Sequence, residues 1–172
     1  MLLDVSKIGA HERFERSVEP QGFDCRGEEY AVVADVRLGL EIHKVREKLR
    51  LVGTLATTLE LRCSRCLEAF PRPVDVSFDL VYLPQEQNRG EGEIEVQADD
   101  LAAAFYRNDE IDLGQLMREQ FYLALPMKPL CREECRGLCP ECGANLNVAA
   151  CDCVHRWEDP RLAGLKTLLK DE

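Results

Sequence analysis

The sequence predicts an α+β fold: an antiparallel, β-rich domain with a packed helix and a zinc-knuckle segment toward the C-terminus. Three observations carry that reading. Apolar and polar residues alternate in three separate runs, one strong helical spacing follows Asp112, and eight of the nine cysteines stand in four close pairs. The organisation expected is a β-rich domain over 1–125 with a CxxC hairpin and a covering helix, a cysteine-rich segment over 126–155, and a C-terminal helix over 156–172. A chain of 172 residues with 45% hydrophobic content has enough apolar material for one such core.

The first strand signal runs from Ala31 to Ile42, where Val32, Ala34, Val36, Leu38, Leu40 and Ile42 alternate with Val33, Asp35, Arg37 and Glu41. A period of two is the mark of a half-buried strand. Leu49, Leu51, Leu55, Leu59 and Leu61 form a second such face, and Val74, Val76, Phe78, Leu80 and Tyr82 a third. The turn between these two holds Cys63 and Cys66, which makes it a hairpin tip carrying metal ligands.

Between Pro84 and Gly92 the chain is polar and reads as a mobile loop. Ile94–Val96 begins a further short strand. In Asp99–Tyr106 the alanines favour helix, yet Leu101, Ala103 and Phe105 alternate, and strand is preferred. Asp112 is a helix N-cap, followed by Leu113, Leu116, Met117, Gln120, Phe121 and Ala124 at helical spacing until Pro126. Asp159-Pro160 opens a last amphipathic helix with Leu162, Leu165, Leu168 and Leu169 on one face.

The first twelve residues have no apolar run long enough for a signal peptide or a membrane span, so a cytoplasmic protein with no membrane partner is expected. In that compartment thiols stay reduced, and paired cysteines point to metal ligation or redox chemistry rather than disulfides. Net charge is −10, against general electrostatic coating of nucleic acid. Zinc would deepen it, because each Zn²⁺ held by four thiolates carries −2 and two sites would bring the total to −14. Charge is also uneven: residues 37–72 hold eight basic against four acidic groups, whereas residues 84–112 hold nine acidic against two basic.

The pairs are Cys63/Cys66, Cys131/Cys135, Cys139/Cys142 and Cys151/Cys153, eight ligands for two tetrahedral zinc ions. A CxxC turn sets two sulfurs on one side of a knuckle whose backbone N–H groups can donate to thiolates. In Cys139-Pro140-Glu141-Cys142-Gly143 the glycine can supply the positive φ that such a knuckle needs. Spacing favours one local site from Cys139, Cys142, Cys151 and Cys153 and a second from Cys63, Cys66, Cys131 and Cys135, although other pairings of knuckles also fit. His155 could replace a cysteine in either shell, with a surface histidine the preferred reading. His11 and His43 show no partner pattern, and Cys25 reads as an ordinary free thiol.

No catalytic centre emerges. Catalytic zinc keeps an open position for water or substrate, which four thiolates do not leave. Walker-type loop, dinucleotide glycine fingerprint and serine elbow are all absent from the sequence, and no small-molecule substrate is expected. A thiol redox role for Cys63-Ser64-Arg65-Cys66 is the strongest catalytic rival, with Arg62 and Arg65 nearby to lower a thiol pKa. It lacks the helix start within a βαβ unit that oxidoreductases of the thioredoxin kind use.

Taken together, several stretches resemble the YceD family of large ribosomal RNA subunit accumulation proteins: Cys63-Ser64-Arg65-Cys66-Leu67, Asp112-Leu113, Leu125-Pro126-Met127-Lys128-Pro129-Leu130-Cys131, and the run from Gly137 to Asn147. Cys151-Asp152-Cys153 and the run from Asp159 to Leu165 match as well, so the resemblance covers about residue 63 to 168. It implies a bacterial and plastid family needed for normal accumulation of large-subunit (23S) ribosomal RNA, without an established enzymatic activity. Members that keep the first CxxC and lack much of the later cluster would make the later site dispensable for the shared function. This chain has the full set, so both sites read as structural supports.

An acidic protein can serve RNA in two ways. Arg37, Lys44, Arg46, Lys48, Arg50, Arg62, Arg65 and Arg72 could form a basic face that binds phosphates. Alternatively, the acidic stretch with Glu91, Glu93, Glu95, Asp99 and Asp100 could engage a basic ribosomal protein or assembly factor. Assembly or stabilisation is favoured over sequence reading, because no recognition helix or aromatic stacking motif is present. The runner-up is a zinc-dependent thiol switch. A DNA-binding zinc regulator ranks third, opposed by the net charge and by knuckles without an adjoining basic helix.

Overall fold

The structure, a computed structural model, describes residues 1–23, 25, 29–87 and 103–153. The expected strand at Ile94–Val96, the acidic stretch, His155 and the helix over 156–172 lie outside these residues. Within them the chain is strand-rich with one helix, and its sheet is mostly antiparallel.

Eight strands precede or flank the helix: β1 (Leu2–Asp4), β2 (His11–Val18), β3 (Tyr30–Val32), β4 (Val36–Val45), β5 (Lys48–Arg62), β6 (Ala69–Pro84), β7 (Ala103–Tyr106) and β8 (Glu110–Asp112), followed by α1 (Leu113–Ala124). The main sheet has the order β2-β4-β5-β6-β7, with β3 also paired to β5, while β1 and β8 form a separate two-stranded ladder. The alternation read from sequence becomes burial. Val36, Leu38, Leu40 and Ile42 of β4 and Leu49, Leu51, Leu55 and Leu59 of β5 are essentially inaccessible, while Arg37, His43, Arg50 and Thr54 face solvent. One face of the sheet is therefore core and the other is wet, as antiparallel sheets allow.

Two expectations need correction. The run from Ala31 to Ile42 is two strands, because the chain steps out at Val33–Asp35 before pairing again with β5. The step is held by Thr57 Oγ1, which donates to Ala34 O at 2.9 Å, and by Val33 N, which donates to Thr58 O at 3.1 Å. The sheet is also not wholly antiparallel, since β7 runs parallel to β6 in the register Val81↔Ala103. The strand preferred within Asp99–Tyr106 is present over Ala103–Tyr106, and of the polar stretch after β6 only a 3-10 turn at Gln85–Gln87 is described.

At Gly53 a Cβ would stand 2.5 Å from Phe78 Cζ and 2.7 Å from Gly39 O, so only glycine lets the Phe78 ring lie across β5. The helix starts where Asp112 accepts from Gly114 N at 2.8 Å and from Gln115 N at 3.3 Å, and it stops at Leu125 ahead of Pro126. Its buried stripe is Leu113, Leu116, Met117, Gln120 and Phe121, laid against β6 and β1. The Phe121 ring meets Phe23 at 6.1 Å and Tyr30 edge-on at 5.8 Å, closing the core over the start of β3. No helix among the described residues is long and apolar enough to cross a membrane.

Candidate metal centre

The β5–β6 hairpin ends in a tight knuckle. Cys63 N donates to Glu68 O, and Leu67 N donates back to Cys63 O, both at 2.9 Å. Closing this turn puts Leu67 at φ 62, in the left-handed region that bulky residues rarely occupy. Gly143 does the same after Cys142, with φ 73. In both knuckles the residue after the second cysteine makes the reversal. Glycine announces it in one sequence, and leucine conceals it in the other.

Beyond α1 the chain returns to the hairpin tip. Ser64 N donates to Pro129 O at 2.8 Å, and Leu138 N donates to Arg65 O at 3.1 Å. The Arg65 guanidinium donates to Glu133 O at 3.1 Å and Cys135 O at 2.9 Å. These bonds bring Cys63, Cys66, Cys131 and Cys135 together, with all four sulfurs within 4.8 Å of one another. Cys63, Cys66 and Cys135 are buried in a small apolar cluster of their own, bordered by Phe70 and Leu130.

Cys63 Sγ lies 3.7 Å from Cys135 Sγ, and Cys66 Sγ 3.8 Å from Cys131 Sγ. A tetrahedral zinc with Zn–S bonds of about 2.3 Å places neighbouring sulfurs about 3.8 Å apart, whereas a disulfide needs about 2.05 Å. The donor set and its spacing thus fit a four-thiolate metal shell. Asn147 supplies an outer contact that sequence reading missed: Nδ2 donates to Cys135 Sγ at 3.2 Å, while Oδ1 accepts from Arg136 N at 2.9 Å and Arg132 Nη2 at 2.8 Å. A second partner on each ligand orients it and stabilises the thiolate.

The second cluster is local. Cys139 N donates to Ala144 O at 2.8 Å, Gly143 N donates to Cys139 O at 2.9 Å, and Leu138 bridges Asn145. Cys139, Cys142, Cys151 and Cys153 again lie within 4.8 Å of one another, but Cys142 and Cys153 are exposed. Both clusters could hold a metal ion, in the division that sequence spacing favours.

Their thiols share one electrostatic pattern. Burial pushes Cys63 up, but the backbone N–H groups of Cys131, Cys66 and Arg65 outweigh it and bring the thiol down to about 6. In the second cluster the N–H groups of Cys142 and Glu141 likewise hold Cys139 at about 6. Cys131 is pushed up to about 12 by burial and by the neighbouring sulfurs of Cys135, Cys63 and Cys66. Cys153 reaches about 12 through the Cys142 sulfur and burial. Against its burial, Cys135 is also lowered, by the Asn147 amide and the Gly137 N–H, so each cluster holds at least one depressed thiol beside thiols that stay protonated until a cation compensates them.

The eight basic residues are not drawn into one patch. Lys44, Arg46 and Lys48 stand at the β4–β5 turn, while Arg62 and Arg65 stand at the far end of β5, roughly 50 Å along a strand of 15 residues. Arg50 is paired with Asp79 through Nε–Oδ1 at 2.8 Å, Lys44 Nζ donates to Val5 O at 2.8 Å, and Arg65 is spent on carbonyls. Arg37 and Arg72 are exposed on β4 and β6. Sequence reading also missed that His11 and His43 are direct cross-strand partners, since strand register is what pairs them.

Residues 51–169 match the family described as large ribosomal RNA subunit accumulation protein YceD. The chain is 28% identical over 144 residues to a Zea mays protein named large ribosomal RNA subunit accumulation protein YCED homolog 1, chloroplastic, covering 70% of this chain and 49% of that one. It is 27% identical over 145 residues to the Arabidopsis thaliana protein of the same name, covering 72% and 45%. An uncharacterized Mycobacterium tuberculosis protein is 32% identical over 137 residues, covering 78% and 62%. The chain therefore spans between roughly half and three fifths of these relatives' lengths. No solved structure matches it. With more than half its length matched and two cysteine clusters inside the matched region, the chain belongs to the YceD family.

Proposed function

We propose that this protein is a non-enzymatic zinc-binding factor that supports accumulation of large-subunit (23S) ribosomal RNA, in ribosome assembly or RNA stabilisation. The family match over residues 51–169 carries the reading. Two zinc ions, one per cysteine cluster, serve as structural staples, because four thiolates saturate a tetrahedral ion and leave no position for substrate. Cys63, Cys66, Cys131 and Cys135 would hold one ion, and Cys139, Cys142, Cys151 and Cys153 the other. Large-subunit RNA, or a basic ribosomal protein or assembly factor, is the partner. Exposed Arg37, Arg46, Lys48, Arg62 and Arg72 supply phosphate contacts in the first case.

The test is depletion of the protein in its host, with the ratio of large- to small-subunit ribosomal RNA measured before and after. A selective fall in the large-subunit species, restored by wild type and not by Cys63→Ser, is expected. An unchanged ratio overturns the reading. The exposure of Cys142 and Cys153 favours one second reading, a zinc-dependent thiol switch. Reversible loss of one zinc on mild oxidation, with a matching change in ribosome association, would support it.

A further inference from the structure

The geometry points to a third cation site, formed by His11, Glu41 and His43 on the solvent face of the sheet, for a divalent transition metal of the class that imidazole prefers. One ligand atom from each of the three residues lies within 4.8 Å of the other two. His11 of β2 is directly opposite His43 of β4, and the imidazoles stack with centroids 4.7 Å apart at 23°. Glu41 lies two residues before His43, so the pleat sends its side chain to the same face.

Two imidazoles and one carboxylate form a donor set for nickel, zinc or copper(II), with metal–ligand bonds of about 2.0–2.2 Å. Bound donors then stand about 3 Å apart, and both histidines are exposed, so small side-chain rotations close the remaining gap. The positive groups nearby are already compensated. Arg13 pairs with Glu41 Oε1 at 3.4 Å, leaving the other carboxylate oxygen to a cation, and also approaches Glu15 at 3.9 Å. Arg50, across from His43 on β5, is held by Asp79.

This site is unlike the cysteine clusters in donors and in purpose. It offers nitrogen and oxygen, leaves coordination positions open, and straddles the edge strand β2, which joins the main sheet through β4 alone. A cation here clips that edge to the sheet.

The experiment titrates nickel(II) into zinc-loaded full-length protein by calorimetry, with zinc content measured before and after. One saturable nickel per chain and a rise in Tm are expected. His11→Gln and His43→Gln should each weaken binding by at least about tenfold and remove the Tm rise, with Glu41→Gln weakening it by a smaller factor. Replacing the only other histidine, His155→Gln, should change neither. The proposal is overturned if wild type shows no saturable binding, if binding survives both histidine substitutions, or if His155→Gln removes it.

Discussion

The two cysteine clusters have the same four donors and each sets a depressed thiol beside raised ones, yet they sit in the fold in opposite ways. The first joins a hairpin tip to a segment more than sixty residues later, and three of its four sulfurs are buried. The second is closed within residues 139–153, with two of its four cysteines exposed. An identical ligand set can thus act as a staple across the fold or as a clasp on a loop. Sequence separation and burial decide which, because a long closed loop and a dry shell raise the consequence of losing the ion.

The sharpest way to break this comparison is to remove one ligand from each cluster. Cys63→Ser should cost one zinc and free the segment after α1 from the hairpin, making it protease-sensitive while the sheet persists. Structural zinc contributes about 10–16 kcal/mol of apparent binding energy in small peptides, well above a typical side-chain substitution. Cys139→Ser should also cost one zinc but leave the first cluster and the segment's docking intact. Elemental analysis and limited proteolysis read both results, and loss of two zincs in either variant would mean the clusters are not independent.

Acid provides the next test. In each cluster two thiols are raised, Cys66 and Cys131 in the first and Cys151 and Cys153 in the second, so they are protonated at neutral pH and must release protons to bind zinc. With at least two protons released per cluster, zinc affinity should fall by at least about a hundredfold per pH unit lost. Below about 6 the fall steepens, because the depressed Cys63 and Cys139 thiols then protonate as well. Matched chelator-competition curves for the two clusters would show that thiol chemistry alone governs release. Earlier release from the second would show that exposure governs it.

Asn147 distinguishes the clusters at a smaller scale. It donates to a sulfur of the first while lying in the chain between the ligands of the second. Asn147→Ala should weaken zinc at the first cluster by about ten- to a hundredfold and leave the second within error. The smallest effect is expected at Leu67, exposed at 59% and held at φ 62. Leu67→Gly relieves about 1–2 kcal/mol of left-handed strain against about 0.5–1 kcal/mol of added chain entropy, for a net gain of up to about 1.5 kcal/mol in urea unfolding.

What could be read in advance follows from where the physical signal is stored. β4, β5, β6 and α1 were legible because each buries one face, which imposes a period on its own sequence. β2 was not, since it is an edge strand with no fully buried residue and its polar residues carry no period. The parallel pairing of β6 with β7 and the opposition of His11 and His43 depend on register, which is a property of two distant segments together. The cysteine clusters were readable as pairs because a knuckle is local. Arg65 and Asn147, which fasten the knuckles to one another, have no such local signature.

The long reach of the first cluster has a consequence for a chain that is cut. With zinc in place, Cys66 and Cys131 share an ion, so the backbone between them is a closed ring that includes β6, β7, β8 and α1. A single nick anywhere in that ring leaves the ends tethered through metal rather than through peptide. For a nick between β6 and β7 the ion adds a link to the β1–β8 ladder and the packing of α1 on β6, so a chelator should lower the urea concentration at which the two fragments part.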